Sequence, residues 1–270
     1  MDVPSRRIAV LIDGDNASAA HANGLFEEVA KHGNANVRRL YGDMTSNRMS
    51  GWIRKLQPLA ILPQQQFAYT TGKNASDITL VIDAMDLMHT GAVDMFCIVS
   101  SDSDFTRLAQ RLRENGKTVF GFGERKTPEA FRNACDRFIY LENLGATPGA
   151  GEVGMPVAQP AAGARAGDPP EINSDGESAA GPQAEKKEPP SKATPLILRA
   201  MTDLEDEDGW AMLAAIGNRL TNLAPDFDPR NYGLSKLSDV VRKAGAFEIE
   251  KVDGNQLRVR QRQRPARKSG

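Results

Sequence analysis

Two apolar runs that each end in acidic residues constrain this chain most. Ile8-Ala9-Val10-Leu11-Ile12 runs into Asp13-Gly14-Asp15-Asn16, and Ile98-Val99 runs through Ser100-Ser101 into Asp102-Ser103-Asp104. An uninterrupted apolar run of strand length is covered on both faces, the condition of a strand inside a parallel sheet. A helix is expected straight after each acidic end. Two such ends would gather carboxylates at one edge of a parallel sheet.

The surrounding pattern supports that class. Strands are expected at Arg7 to Ile12, Val37 to Tyr41, Leu59 to Leu62, Met95 to Val99, Thr118 to Phe122 and Phe138 to Leu141. Helical spacing falls between them, over Asn16 to Lys31, around Trp52, Ile53 and Leu56, and over Ser76 to Met88, Phe105 to Arg113 and Pro128 to Ala134. In the Ser76 helix, Ile78, Val81, Ile82, Met85 and Met88 recur at three and four residues, with Ser76 as a cap and Asp77 in the first turn. Strands alternating with helices predict an α/β layer fold with a mostly parallel sheet over residues 6–144.

Composition then shifts. Residues 145–193 carry Pro, Gly, Ala and charge with almost no large apolar side chains, so a flexible linker is expected there. Apolar spacing resumes over 194–260. Leu196 to Leu198 comes first, and then Trp210, Leu213, Ile216, Leu220 and Leu223 at helical intervals. Leu234, Leu237, Val240 and Val241 suggest another helix. A hairpin follows, Phe247 to Lys251 and Gln256 to Arg260 across Asp253-Gly254-Asn255. Helices followed by a hairpin predict a small winged-helix-like α+β domain. Residues 261–270 close the chain as a basic tail. No acid follows Asp253, while Arg258, Arg260, Arg262, Arg264, Arg267 and Lys268 do.

The net charge of -1 over 270 residues gives no hint of a partner. The two cysteines, Cys97 and Cys135, lie in apolar stretches and form no disulfide framework, which fits a reducing compartment. The start has no signal-peptide pattern and no apolar run reaches membrane-span length, so a cytoplasmic protein without membrane contact is expected.

Carboxylates are hard oxygen ligands suited to Mg²⁺ or Mn²⁺, and crowded carboxylates repel unless a cation stands between them. Asp13, Asp102 and Asp104 are placed at strand ends, where ligands bind in open α/β sheets. Asp77 opens a helix that could face the same crevice. Asn16 and Ser101 could support a ligand or a metal-bound water, and Asp15 is a weaker member. Asp15, Asp77 and Asp104, each taken alone, read more readily as helix caps, and the repetition at two adjacent strand ends is what shifts the balance towards a site. Asp83 and Asp86 read as solvated or supporting, and Asp43 as marginal. His21, His32 and His89 have no zinc spacing. Gly121-Phe122-Gly123 reads as a turn and lacks a dinucleotide fingerprint. Lys73 could touch phosphate or simply be solvated.

With those residues assembled, the first domain resembles the NYN family, the LabA-like branch of PIN-type nucleases. The resemblance rests on the Ile8 to Asn16 segment, the Lys73 to Asp83 stretch and Ser100 to Phe105, in the family's order. It implies a Rossmann-like PIN fold and metal-dependent RNA cleavage, with Asp13, Asp77, Asp102 and Asp104 as the acidic set. The C-terminal region resembles an OST-HTH/LOTUS domain, on Gly209-Trp210, Leu220, Pro225 to Asp228, Tyr232 to Leu237 and Phe247 to Ile249. That implies binding of RNA or of a protein partner. Lys236, Arg242 and Lys243 are candidate phosphate contacts, and Trp210, Phe227 and Phe247 are expected in the core. Three functions remain: a Mg²⁺- or Mn²⁺-dependent ribonuclease, a non-catalytic RNA-binding or regulatory adaptor, and a nucleotide-binding protein. The last is disfavoured by the missing phosphate-cradling glycine loop.

Overall fold

A computed structural model describes residues 6–66, 75–145, 187–252, 254 and 256–262. The first domain runs β1 (Arg7–Asp13), α1 (Ala22–Ala30), β2 (Asn34–Gly42), α2 (Ser50–Leu56), β3 (Leu62–Gln65), α3 (Ala75–His89), β4 (Met95–Val99), α4 (Thr106–Glu114), β5 (Thr118–Gly123), α5 (Glu129–Ala134) and β6 (Arg137–Tyr140). Its six strands form one sheet in the order β3-β2-β1-β4-β5-β6, and every pairing is parallel. The α/β expectation therefore holds.

Period-two alternation along β1 sorts its side chains between two layers. Ile8, Val10 and Ile12 pack with Leu25 and Val29 of α1 and Trp52 of α2. Ala9 and Leu11 pack with Leu80, Ala84 and Met88 of α3, Leu108 and Leu112 of α4, and Phe131 of α5. Central strands covered on both faces have no solvated side, which is why they read as continuous apolar runs.

Several local expectations shift. The strand foreseen at Leu59 to Leu62 begins only at Leu62. The N–H groups of Leu59 and Ile61 turn back to the carbonyls of Lys55 (3.1 Å) and Leu56 (2.8 Å), closing α2 before the chain can extend. The α3 helix starts at Ala75, so Ser76 lies inside its first turn rather than capping it. Its buried stripe is Leu80, Ala84 and Met88, whereas Ile78 and Ile82 are 60% and 56% exposed. Gly121 and Gly123 lie within β5, not in a turn. A Cβ on Gly123 would fall 2.6 Å from the Ser100 carbonyl oxygen, so close approach rather than turning requires that glycine.

The C-terminal domain comprises α6 (Thr194–Met201), β7 (Trp210–Met212), α7 (Leu213–Leu223), α8 (Leu237–Ala244), β8 (Phe247–Val252) and β9 (Gln256–Gln261). The antiparallel sheet has the order β7-β9-β8. Ile197, Ile216, Leu220, Val240, Val241, Phe247 and Val259 form its core. The hairpin is present, but it gains β7, which the helical spacing from Trp210 had hidden. Residues 187–193, foreseen in the linker, are ordered. They include a 3₁₀ turn at Pro190–Ala193, and Ala193 is fully buried. Trp210 is only half-buried, with the guanidinium carbons of Arg258 and Arg260 4.5 and 4.6 Å from its ring centre. Phe227 is partly buried against the core and Phe247 lies within it.

Two helix glycines make opposite demands. A Cβ on Gly24 of α1 would stand 1.8 Å from the Leu144 carbonyl oxygen, whereas one on Gly217 of α7 would meet only Leu237 at 3.4 Å. Gly24→Ala is expected to lower the urea midpoint, at a cost of about 1–3 kcal/mol from overpacking. Gly217→Ala is expected to raise it by about 0.5–1 kcal/mol, the helix-propensity gain. Equal midpoints for the two variants would contradict this packing.

Candidate active site

The strand order reverses direction between β1 and β4, the switch point where open α/β sheets bind ligands beyond the carboxyl ends of the strands. Ile12 pairs with Val99 across that junction, so the next residues, Asp13 and Ser100, stand side by side. Asp13 is 1% exposed. A buried carboxylate requires hydrogen-bond donors, and four serve it. The Ser100 hydroxyl (2.7 Å) and the Asn16 side-chain amide (2.9 Å) donate to Oδ2. The N–H groups of Asp15 (3.2 Å) and Asn16 (3.3 Å) donate to Oδ1. Burial nevertheless holds its pKa above the usual carboxylate range, with Asp15 adding to the rise, against the pull of the Ser100 and Asn16 hydrogen bonds.

The other acids surround this anchor. Asp77 sits half-buried in the first turn of α3. Its pKa is pushed up to about 6, by burial first and then by the charges of Asp13, Asp102, Asp104 and Asp15. A helix N-terminus favours negative charge, so the repulsion outweighs that preference. The acids foreseen at separate sequence positions therefore share one electrostatic field.

Asp102 caps the 3₁₀ turn Ser103–Phe105, its Oδ1 accepting from the Asp104 N–H at 2.9 Å. The cap role allowed to Asp104 thus belongs to Asp102, two residues earlier. One Asp102 oxygen is committed to the cap, and the other is not needed for it.

Ser101, foreseen as a support, turns away from the acids and accepts the Glu124 N–H at 2.9 Å. Its neighbour Ser100, not singled out from the sequence, takes that place. Besides donating to Asp13, the Ser100 hydroxyl accepts the Asp102 N–H at 3.0 Å and so joins the two acidic strand ends. The only sequence signal for it was its position as the first residue past a buried strand. Asp83 is partly exposed and takes the supporting role. It pairs with Arg39 at 2.8 Å and accepts from the Tyr41 hydroxyl at 2.7 Å. Asp43 accepts from Thr45 and from Gln65, holding edge strand β3 to the turn after β2. Lys73 lies outside the described residues.

A divalent cation fits the donor chemistry here, because Asp77 lies in the field of Asp13, Asp102, Asp104 and Asp15, all carriers of hard carboxylate oxygens. Yet among the described residues no three Asp, Glu, His or Cys side chains are grouped to hold a metal ion. Asp13 has its four acceptor positions already engaged. The acids share a field without forming a closed cage.

The NYN domain profile matches residues 7–142, half the chain, and covers all four acids. The chain belongs to the NYN family. The NYN domain is part of the PIN-like nuclease superfamily, and an OST-HTH/LOTUS domain, a class associated with RNA binding, matches residues 185–259. No curated protein matches the chain. Among solved structures, a protein of unknown function from Vibrio parahaemolyticus is 19% identical, with a TM-score of 0.44. That match covers 52% of this chain and 95% of that one. An uncharacterized protein from Nitrosomonas europaea is 35% identical over 34% of this chain and 94% of that one, with a TM-score of 0.25.

On the OST-HTH domain, Lys236, Arg242 and Lys243 are exposed at the two ends of α8, and Arg242 pairs with Asp239 at 3.2 Å. Arg258 and Arg260, foreseen as the start of a basic arm, instead pair across the sheet with Glu250 (2.6 Å) and Glu248 (2.7 Å). Antiparallel register sets each arginine opposite its glutamate, a pairing that residue counting does not reveal. The rest of the basic run, from Arg264, lies outside the described residues. Among the described residues no helix is long and apolar enough to cross a membrane.

The raised Asp77 pKa has a linkage consequence. A carboxyl that holds its proton more tightly when folded favours folding at low pH and opposes it as pH rises through the folded pKa. Asp77→Asn is therefore expected to stabilise the protein above about pH 6, and the gain should vanish towards pH 4. After allowance for solvent screening of a half-exposed group, the gain should not exceed about 1–2 kcal/mol. If the acids hold a divalent cation, millimolar Mg²⁺ should narrow the difference by stabilising the parent. Melting curves at pH 4 and pH 7.5, with and without Mg²⁺, provide the measurement. A variant less stable than the parent at pH 7.5 would contradict the repulsion.

Proposed function

We propose that this chain is a metal-dependent ribonuclease. Asp13, Asp77, Asp102 and Asp104 would hold Mg²⁺ or Mn²⁺ and carry catalysis. The observation that supports this reading is geometric: Asp13 and, through Ser100, Asp102 are tied together at the carboxyl ends of β1 and β4, the switch point of the sheet, and burial together with their charges raises the Asp77 carboxyl of α3. Carboxylates gathered in this way disfavour folding, and a divalent cation would offset that cost. A divalent cation bound there supplies charge neutralisation and activates water towards phosphorus.

The chain's own residues hold the arrangement. Ser100 and Asn16 orient Asp13 through Oδ2, and Asn16 Nδ2 is the donor that would yield if Asp13 Oδ2 took a cation. Asp15 stands beside Asp13 as an additional negative charge. Ser101 ties the exit of β4 to the exit of β5 through Glu124, supporting the loop that presents Asp102 and Asp104. The buried, unpaired thiols of Cys97 and Cys135 support a cytoplasmic setting.

Hydrolysis of single-stranded RNA is expected to require Mg²⁺ or Mn²⁺ and to stop with a chelator. Asp102→Asn keeps the volume and removes the charge. It should lower the cleavage rate at least about 100-fold, the scale of a lost electrostatic catalytic group, with RNA binding retained. Metal-independent cleavage, or full activity in both Asp102→Asn and Asp13→Asn, would overturn the mechanism. The second reading is a non-catalytic RNA-binding or regulatory adaptor, in which the acids serve the fold or weak metal binding. That reading expects bound but uncut RNA under every metal condition.

We assign RNA contact on the OST-HTH domain to Lys236, Arg242 and Lys243, with Lys73 as a further candidate on the NYN side. A protein partner at the OST-HTH domain is the alternative. Each phosphate neutralised on a single strand contributes about 0.7 to the slope of log K against log salt. Lys236→Ala/Lys243→Ala should weaken RNA binding and flatten that slope by about 1.4. Unchanged affinity and slope would leave α8 to a protein partner.

A further inference from the structure

The OST-HTH domain does not stand apart from the NYN domain. Strand β6 is an edge of the sheet, and an edge leaves backbone groups unpaired. The Phe138 N–H on that edge donates to the Pro225 carbonyl at 2.8 Å. Around this bond lie three side-chain clusters, each with members from both domains.

Asp226 accepts from the Tyr140 hydroxyl at 2.7 Å and pairs with Arg132, which also donates to the Tyr140 oxygen at 2.8 Å. Arg230 forks between Glu28 of α1 (3.0 Å) and its own neighbour Asp228 (2.7 Å), and Arg137 lies 3.7 Å from Asp228. Asn143 donates to Asn231 at 2.7 Å, and Asn231 donates in turn to the Asp226 carbonyl at 2.9 Å. Glu28, Asn143, Asp228 and Asn231 are all buried.

Buried charges without partners are costly, so each of these groups depends on its counterpart across the junction. Burial pushes the Glu28 carboxyl up, yet Lys31 and Arg230 bring it below its ordinary value. The loop itself is shaped in advance. Asp228 caps the 3₁₀ turn Pro229–Tyr232 through the Arg230 N–H, and Gly233 closes it in the left-handed conformation.

We propose that residues 225–232 are a docking element that locks the OST-HTH domain onto the β6 edge and α1 of the same chain's NYN domain, at a fixed offset from the acidic edge. The offset follows from the strand order. β6 lies three strands from β1, about 14 Å at the usual spacing of about 4.8 Å. None of the junction residues named here belongs to the acidic set. Docking through them therefore takes none of the proposed catalytic acids. The place of the docked domain is set by the junction, not by the reach of the linker. On the ribonuclease reading, RNA gripped by the OST-HTH domain is presented to the acids at a constant distance from the grip.

The test uses full-length protein carrying a specific protease site within residues 146–186. After cutting, the two halves are expected to co-elute on size exclusion as one species of the intact mass, independent of concentration. Asp226→Arg should weaken their association at least about 30-fold, because it replaces one member of a partly buried interfacial charge pair with a charge that repels the other. Arg132→Asp with Asp226→Arg reverses both charges and should restore co-elution, which separates a broken lock from a misfolded domain. Separation of the parent halves, undiminished association in Asp226→Arg, or a species of twice the mass would each overturn the proposal. Cut positions on a uniformly labelled RNA give a second readout, with scatter expected to widen in Asp226→Arg and narrow again in the double variant. If no protein cuts RNA, the ribonuclease reading fails, while co-elution still decides the docking.

Discussion

The hydrogen bond from the Ser100 hydroxyl to the buried Asp13 carboxylate is the interaction on which the NYN domain depends. It crosses the point where the strand order reverses, joins the ends of β1 and β4, and lies where no water can replace it. A carboxylate at that depth is tolerated only with its acceptor positions filled. Ser100, Asn16 and the turn after β1 must therefore adopt one arrangement together. The same arrangement passes through the Ser100 oxygen to the Asp102 N–H and so sets where the second acidic strand end lies. Gly123 permits it, because any larger residue would meet the Ser100 carbonyl.

Around this anchor the domain places charge against its own stability. Asp77 would be easier to fold as a neutral group, and the acids that raise its pKa come from elements far apart in the chain. Other described carboxylates have close partners. Asp94 is held well below the usual range by Arg7, and Asp83 sits between Arg39 and Tyr41. At the switch point, by contrast, the acids lie in one another's field, an arrangement that a cation would relieve.

The junction between the domains uses a different chemistry. Among the described residues its contacts are charged, amide and phenol groups around one backbone hydrogen bond, and the apolar clusters of the two domains stay separate. Polar junctions of this kind are specific in orientation, since a small rotation would leave Glu28, Asp228 or Asn143 buried without a partner. That specificity fits two domains that fold around their own cores and then meet in one geometry.

The layered α/β class, the strand–helix alternation and the two acidic strand ends were legible in the sequence because each rests on local periodicity. The five-residue apolar runs needed no knowledge of their neighbours. What stayed hidden depended on contacts between distant residues. Ile78 and Ile82 fit a helical stripe as well as Leu80 and Ala84 do, and only the placement of α3 on the sheet decides which pair faces inward. Trp210 fits the spacing of α7 until β9 draws it into a strand. Arg258 and Arg260 count as a basic run until antiparallel register sets glutamates opposite them. Ser101 and Ser100 are chemically alike, and the direction of the chain leaving β4 gives one of them to Asp13 and the other to Glu124. The sequence by itself determined the elements and the acids they carry. The tertiary structure alone decided which acids share a field, which serine holds them and where the second domain rests, because hydrogen bonds and charge fields act through space between residues that the chain keeps far apart.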